Sequence, residues 1–288
     1  MKKQSKLQFL AAMTIFGTVG LVVRAIPLPS ATIAFARGIL GCVFLLLFMG
    51  LTGKKLSLVD IRQNFLILCL SGAAIGFNWI LLFEAYRYTT VATATVCYYL
   101  APVFLVLASP LLGEPLTGKK LLCIGIALVG ALCISGVFAG TLPTFSDLRG
   151  ILCGVGAALL YASVMVLNKK LSPISAYDKT VMQLGMAAVV VLPYIALTGG
   201  VDLGTMTPTG WGMLAVAGIV HTGIAYTLYF DAMGNLSAKT VAVFSYLDPV
   251  VAIILSALLL KEKMDVFGIV GTVLILGSAF YSELPERK

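Results

Sequence analysis

Charge is what this chain has least of. Asp, Glu, Lys and Arg together make up 11% of its 288 residues, against roughly 25% in soluble globular domains. That shortage excludes a water-soluble globule, which would lack the polar surface to coat itself. Histidine occurs once, at His221, so a multi-histidine metal centre is excluded. No Ser/His/Asp set and no pair of catalytic carboxylates accompanies His221 at a common depth, which argues against an integral-membrane enzyme. No stretch reads G-x-x-x-x-G-K-[ST], so the phosphate loop of an ATP-driven pump is missing. The six cysteines, Cys42, Cys69, Cys97, Cys123, Cys133 and Cys153, lie inside apolar runs without C-x-x-C spacing. They read as small apolar fillers rather than a disulfide or zinc framework. No metal and no cofactor is called for.

What the chain has instead is apolar length. Hydrophobic residues reach 60% and the mean hydropathy is +1.03. A membrane span needs about 20 mostly apolar residues. Runs of that kind predict ten transmembrane helices near 7–25, 30–51, 64–86, 90–112, 120–139, 149–169, 179–198, 210–232, 238–260 and 265–283. Turn and charge signals separate them, among them Pro27 and Pro29, Gly53-Lys54-Lys55, Gly113-Glu114-Pro115, the stretch 140–145, Gly199-Gly200 and Lys261-Glu262-Lys263. The first 27 residues have the basic start and apolar stretch of a signal peptide but no small-x-small cleavage site. They are expected to stay as the first helix.

The net charge of +8 does not point to nucleic acid, because the basic residues sit in short clusters between apolar runs, without interleaved aromatics. It points to lipid headgroups and to orientation. With the N-terminus in the cytoplasm, the inner segments carry Lys2, Lys3, Lys6, Lys54, Lys55, Arg62, Lys119, Lys120, Lys169, Lys170, Lys179, Lys239, Arg287 and Lys288. The outer ones carry Arg24, Arg87, Arg149, Lys261 and Lys263. Loops rich in Lys and Arg stay inside, so both termini are expected in the cytoplasm of a cell whose cytoplasmic (inner) membrane the chain crosses many times.

The chain also repeats itself, at a constant offset of 147 residues from Tyr99 to Tyr246. Phe83-Glu84-Ala85 matches Phe230-Asp231-Ala232. Thr93 and Val96 match Thr240 and Val243. Tyr99-Leu100-x-Pro102-Val103 matches Tyr246-Leu247-x-Pro249-Val250. Each half holds five predicted helices, an odd number, so the second half enters the membrane upside down. Residues 1–140 and 149–288 are thus expected to be two inverted five-helix repeats. That architecture supplies alternating access, because exchanging the conformations of the halves moves the opening from one face to the other.

These residues resemble the drug/metabolite transporter superfamily, EamA type. The resemblance is carried by Phe16-Gly17, Arg37, the run Ala92 to Pro102 with Glu114, then His221-Thr222-Gly223-Ile224-Ala225-Tyr226, and Tyr246-Leu247-Asp248-Pro249-Val250 with Glu262. It covers nearly the whole chain. One departure stands out: Ala101 occupies the first-half position that Asp248 holds in the second, so the polar chemistry is asymmetric on a symmetric scaffold. The resemblance implies a ten-helix transporter for export or uptake of small metabolites such as amino acids or amines, driven without ATP, and export is the direction expected. A flippase for lipid or lipid-linked head groups is the alternative; an enzyme ranks below both.

Candidate site residues follow from depth and chemistry. Asp248 and His221 each fall ten or so residues into a predicted helix, about 15 Å deep at 1.5 Å per residue. An ionisable group there is expensive unless it faces a cavity or a partner. The pair is therefore expected to be the polar centre: binding an ammonium group, carrying a proton, or simply holding helices 8 and 9 together. Arg37 is expected either to snorkel to the surface or to fork onto a substrate carboxylate. Asn78, Trp79, Tyr98, Tyr99, Tyr161, Tyr226 and Ser245 complete the expected cavity lining, drawn from helices 1, 3, 4, 6, 8 and 9. Pro102 and Pro249 are expected hinges, since proline inside a helix removes a backbone hydrogen bond. Glu114 and Glu262 are expected to cap neighbouring helix N-termini. Gly72-x-x-x-Gly76 and Gly150-x-x-x-Gly154 suit close helix packing, inside a monomer or across a homodimer.

Overall fold

A computed structural model describes residues 2–113, 115–134, 144–198, 203–233 and 235–283. Among these residues every regular element is helical. In chain order, α1 is Lys2–Gly17 and Val19–Arg24 joined at Thr18, α2 is Ser30–Leu51, and α3 is Phe65–Tyr88. Helix α4 is Val91–Tyr98 and Ala101–Leu107, α5 is Gly118–Ile134, α6 is Phe145–Lys169 and α7 is Ala176–Leu197. Helix α8 runs over Pro208–Ala215, Val216–Ile224 and Ala225–Met233, α9 over Ala238–Ser245 and Leu247–Leu259, and α10 over Val266–Glu283. Six of these (α1, α2, α3, α6, α7 and α8) have the length and apolarity to cross a membrane; apolar stretches of α4, α9 and α10 are shorter. The chain is an all-α, ten-helix membrane protein. Glu114, the stretch 135–143, Gly199-Gly200, Arg287 and Lys288 lie outside the described residues.

In hydrocarbon every backbone polar group must find its partner within the protein, and the first-turn N–H groups of a helix have none of their own. The sequence meets this with hydroxyl caps. Thr90, Thr144, Ser175, Thr207 and Ser237 each accept a hydrogen bond from the backbone N–H three residues on, opening α4, α6, α7, α8 and α9. A short helix, Leu58–Gln63, precedes α3 in the same way, capped by Ser57.

The two prolines act differently from interior hinges. Helix α4 interrupts at Tyr99-Leu100, and Pro102 stands in the first turn of its second segment. Helix α9 interrupts at Tyr246, and Pro249 stands in the first turn after it. A first-turn proline costs no helical hydrogen bond, so the break lies just ahead of each proline, at the paired tyrosines.

Packing is dominated by contacts between the two halves of the chain. Helix α3 packs on α6 and α7, α2 on α7, α1 on α8 and α9, and α4 on α6 and α9, while α5 lies along α10. Gly72 and Gly76 face Gln183 and Ala187 of α7, and Gly150 and Gly154 face Thr89 and Cys97. Both small-residue motifs are thus used inside the chain. At the α5–α10 crossing a Cβ on Gly271 would lie 2.5 Å from the Gly130 carbonyl oxygen, so only glycine allows that approach. Leu47, Leu66, Leu122, Leu192 and Val273, each at least half exposed, form the apolar flank expected to meet lipid.

Candidate functional site

Between these helices, polar side chains from both halves meet. Asp248 opens the second segment of α9, immediately after the break at Tyr246. Its Oδ2 accepts a hydrogen bond of 2.9 Å from the Tyr99 hydroxyl, and the same hydroxyl lies 3.4 Å from the Ser245 carbonyl oxygen. The tyrosine at the first-half break therefore reaches across to the carboxylate at the second-half break. Tyr99 and Tyr246 also lie ring to ring, centroids 6.2 Å apart. On the other side Gly17 brings α1 against α9 at this point: a Cβ there would lie 2.6 Å from the Asp248 carbonyl oxygen.

His221 is buried in the middle of α8, where Val216–Ile224 winds as a π-helix. Its Nδ1 is 3.2 Å from the Val216 carbonyl oxygen and its Nε2 is 2.8 Å from the Thr18 hydroxyl. A carbonyl only accepts, so Nδ1 carries a hydrogen. The single Thr18 hydrogen has two acceptors, His221 Nε2 and the Ile15 carbonyl oxygen at 2.8 Å. With the ring neutral, Thr18 donates to Nε2. With a second proton on the ring, Nε2 donates to Thr18 and the hydroxyl turns to Ile15. The break in α1 and the wide turn of α8 are thus joined by a contact that serves both protonation states.

Arg37 does not snorkel. Its side chain is buried, with the guanidinium carbon 4.3 Å above the Trp79 ring and 5.9 Å from that of Phe83. Nε donates to the Thr222 hydroxyl at 2.8 Å. Tyr86, Tyr98 and Tyr226 surround the guanidinium within electrostatic reach, and Tyr86 is in reach of Asp248 as well. Tyr98 stacks on Tyr161, centroids 5.4 Å apart, and Tyr161 in turn senses Asp248 and Tyr226. The result is a buried cluster of tyrosines with a carboxylate and a guanidinium among them.

Most of the expected lining residues therefore converge. His221 and Asp248 do not bond to each other; each reaches a different helix, α1 and α4 respectively. Asn78 is occupied structurally, donating from Nδ2 to the Ala157 carbonyl oxygen at 2.6 Å and tying α3 to α6. The Ser245 hydroxyl turns back to Val241 in its own helix. Thr18, Thr222, Phe83 and Tyr86 belong to the site without having been singled out from sequence. Thr222 stood in a segment already flagged by His221, and the break at Thr18 directly follows Phe16-Gly17.

Glu262 caps, as its position suggested, but it does more. It accepts from the Val91 N–H at 2.9 Å, opening α4, and also from the Ser256 hydroxyl and from Arg24. Arg24 further donates to the carbonyl oxygens of Tyr86, at 2.7 Å, and Thr89, at 2.5 Å. This clasp joins the end of α1, the α3–α4 turn and the α9–α10 turn. On the opposite face Lys54 and Asp231 approach at 3.5 Å with both side chains 39% exposed, and Tyr177 donates to Asp231 at 2.7 Å.

Ten packed helices around a buried polar cluster, with an ion pair at each face, describe a multi-pass membrane protein of the transporter class. Comparison with known proteins agrees. The EamA-like transporter family model matches residues 5–136 and again residues 148–283, and the chain belongs to that family. An uncharacterized transporter of Bacillus subtilis, YxxF, is 32% identical over 283 residues, covering 95% of this chain and 88% of its own. The pseudopaline exporter CntI of Pseudomonas aeruginosa is 27% identical over 250 residues, covering 86% and 84%. A protein of known crystal structure shares the fold with a TM-score of 0.65 at 18% identity, over 98% of this chain and 97% of the other.

Proposed function

We propose that the protein is a secondary transporter that exports small metabolites, such as amino acids or amines, across the cytoplasmic membrane by alternating access. The observation that carries this reading is the buried polar cluster built from both halves of the chain, at the broken helices α1, α4 and α9 and the π-turn of α8. Discontinuous helices at mid-membrane are where secondary transporters place their substrate sites. Residues 1–140 and 149–288 act as two repeats of opposite orientation that exchange conformations. Asp248 and His221 form the functional polar centre, with Tyr99 and Thr18 as their partners, and the Tyr99-Leu100 and Tyr246 breaks as hinges. The likeness to a named exporter supports the direction, and the excess of Lys and Arg on the inner segments supports cytoplasmic termini.

Solute counterflow into proteoliposomes, using a labelled mixture of amino acids and amines, tests the reading. Uptake of a water-soluble solute, saturable and reduced in folded Asp248→Asn protein, is the expected result. Movement of labelled lipid alone would replace it with a flippase, and conversion of solute to product would make the protein an enzyme.

A further inference from the structure

The Arg37 guanidinium is left unfinished by its surroundings. It is 95% buried, being 5% exposed, and only Nε has a hydrogen-bond acceptor, Thr222. Among the described residues no acceptor meets Nη1 or Nη2, and no carboxylate pairs with the charge. The aromatic rings of Trp79 and Phe83 support its flat face, which steadies the cation and leaves the edge of the fork open. A buried charge without a counter-charge is costly, and a guanidinium fork matches a carboxylate edge to edge.

On the Arg24 face a cavity of about 620 Å³ is lined by Val23, Arg24, Leu28, Tyr86 and Arg87, among others. Tyr86, one of its lining residues, lies within electrostatic reach of Arg37.

The geometry points to Arg37 as an anion subsite in the buried polar cluster, taking the carboxylate of an organic solute with its Nη1 and Nη2 atoms. A monoanion suits it better than phosphate, since a single guanidinium balances one charge and Asp248 also lies within electrostatic reach of Tyr86. The occupant is a transport substrate only if the transporter reading holds; the subsite itself stands or falls separately.

Trp79 reports on it directly. The chain has two tryptophans, so Trp211→Phe, at a half-exposed position of α8, leaves Trp79 as the sole emitter. Purified protein is titrated with benzoate and benzamide, with propionate and propionamide, and with inorganic phosphate. The expected result is a saturable change in emission with the carboxylates and none with the amides or with phosphate. Arg37→Gln is expected to weaken carboxylate binding about tenfold or more, the effect of losing charge-assisted hydrogen bonds. The acid–amide comparison needs no change at the site, so it decides the matter even if Arg37→Gln fails to fold. Equal responses to acid and amide, a response to phosphate alone, or no saturable response to any carboxylate would overturn the proposal. Counterflow with the same solutes separates the two readings: carboxylate binding without transport removes the transporter and keeps the subsite. Transport of neutral solutes or amines that neither carboxylates nor Arg37→Gln affect does the reverse.

Discussion

Glu262→Gln is expected to loosen the face that Arg24 and Glu262 hold together. The carboxylate receives three donors, from Arg24, Ser256 and the Val91 N–H, and its side chain is 10% exposed. A carboxamide has a single acceptor oxygen and turns N–H groups toward donors, so at least one partner is orphaned. An unsatisfied buried donor costs about 1–3 kcal/mol. The ion pair itself adds less than about 1 kcal/mol, because the Arg24 side chain is 29% exposed and screened. A total of about 1–4 kcal/mol, at about 1.4 kcal/mol per tenfold, multiplies the population with this face open by roughly five to several hundred. The assay is maleimide labelling of Val23→Cys in a background with the six native cysteines replaced. Val23 lines the vestibule yet is 2% exposed, so its labelling rate reports opening. Asp231→Asn, on the opposite face, disturbs a longer and more exposed pair and should change that face's opening by less than about fivefold, as surface pairs are worth under about 1 kcal/mol. If Glu262→Gln labels at the parental rate while remaining folded, the clasp does not hold this face shut.

Four further outcomes are expected. Gly271→Val forces a side chain onto the Gly130 carbonyl oxygen and should cost about 1–3 kcal/mol or more of stability, seen as a lower melting temperature in detergent with little ligand dependence. Tyr99→Phe removes the hydrogen bond that Asp248 Oδ2 receives from the Tyr99 hydroxyl and should alter the pH profile of counterflow. His221→Ala, checked for folding, should slow transport or flatten that profile; wild-type rate and profile would remove His221 from the mechanism. Reporter fusions after residues 4 and 283 should both read cytoplasmic, and opposite readings would mean an odd number of spans.

The helices were legible because lipid imposes one crude rule, about twenty apolar residues per crossing, and each of the ten expected spans coincides with an observed helix. The breaks in α4 and α9 were legible too, through Pro102 and Pro249, although proline marks the turn after the break rather than the break. The π-turn of α8 was not, because its cause is distributed: no proline or insertion near Val216 announces it. Arg37 was flagged by its depth and by the family resemblance. That it rests on Trp79 and Thr222, 42 and 185 residues away, is a property of helix packing that no local pattern encodes. The pairing of His221 with Asp248 was the natural reading of two polar groups at one depth; depth gives no azimuth, and the two side chains turn toward different helices.

The Gly130–Gly271 crossing sets what has to stay still. Two backbones in contact leave no layer of side chains to shear, so α5 and α10 slide past one another only by separating altogether. On the proposed alternating-access reading they are the expected stator, one strut from each half of the chain, beside which the remaining eight helices rock. Spin labels across that seam would keep a single distance in every state of the cycle, a fixed ruler against which the movement of all other helices can be measured.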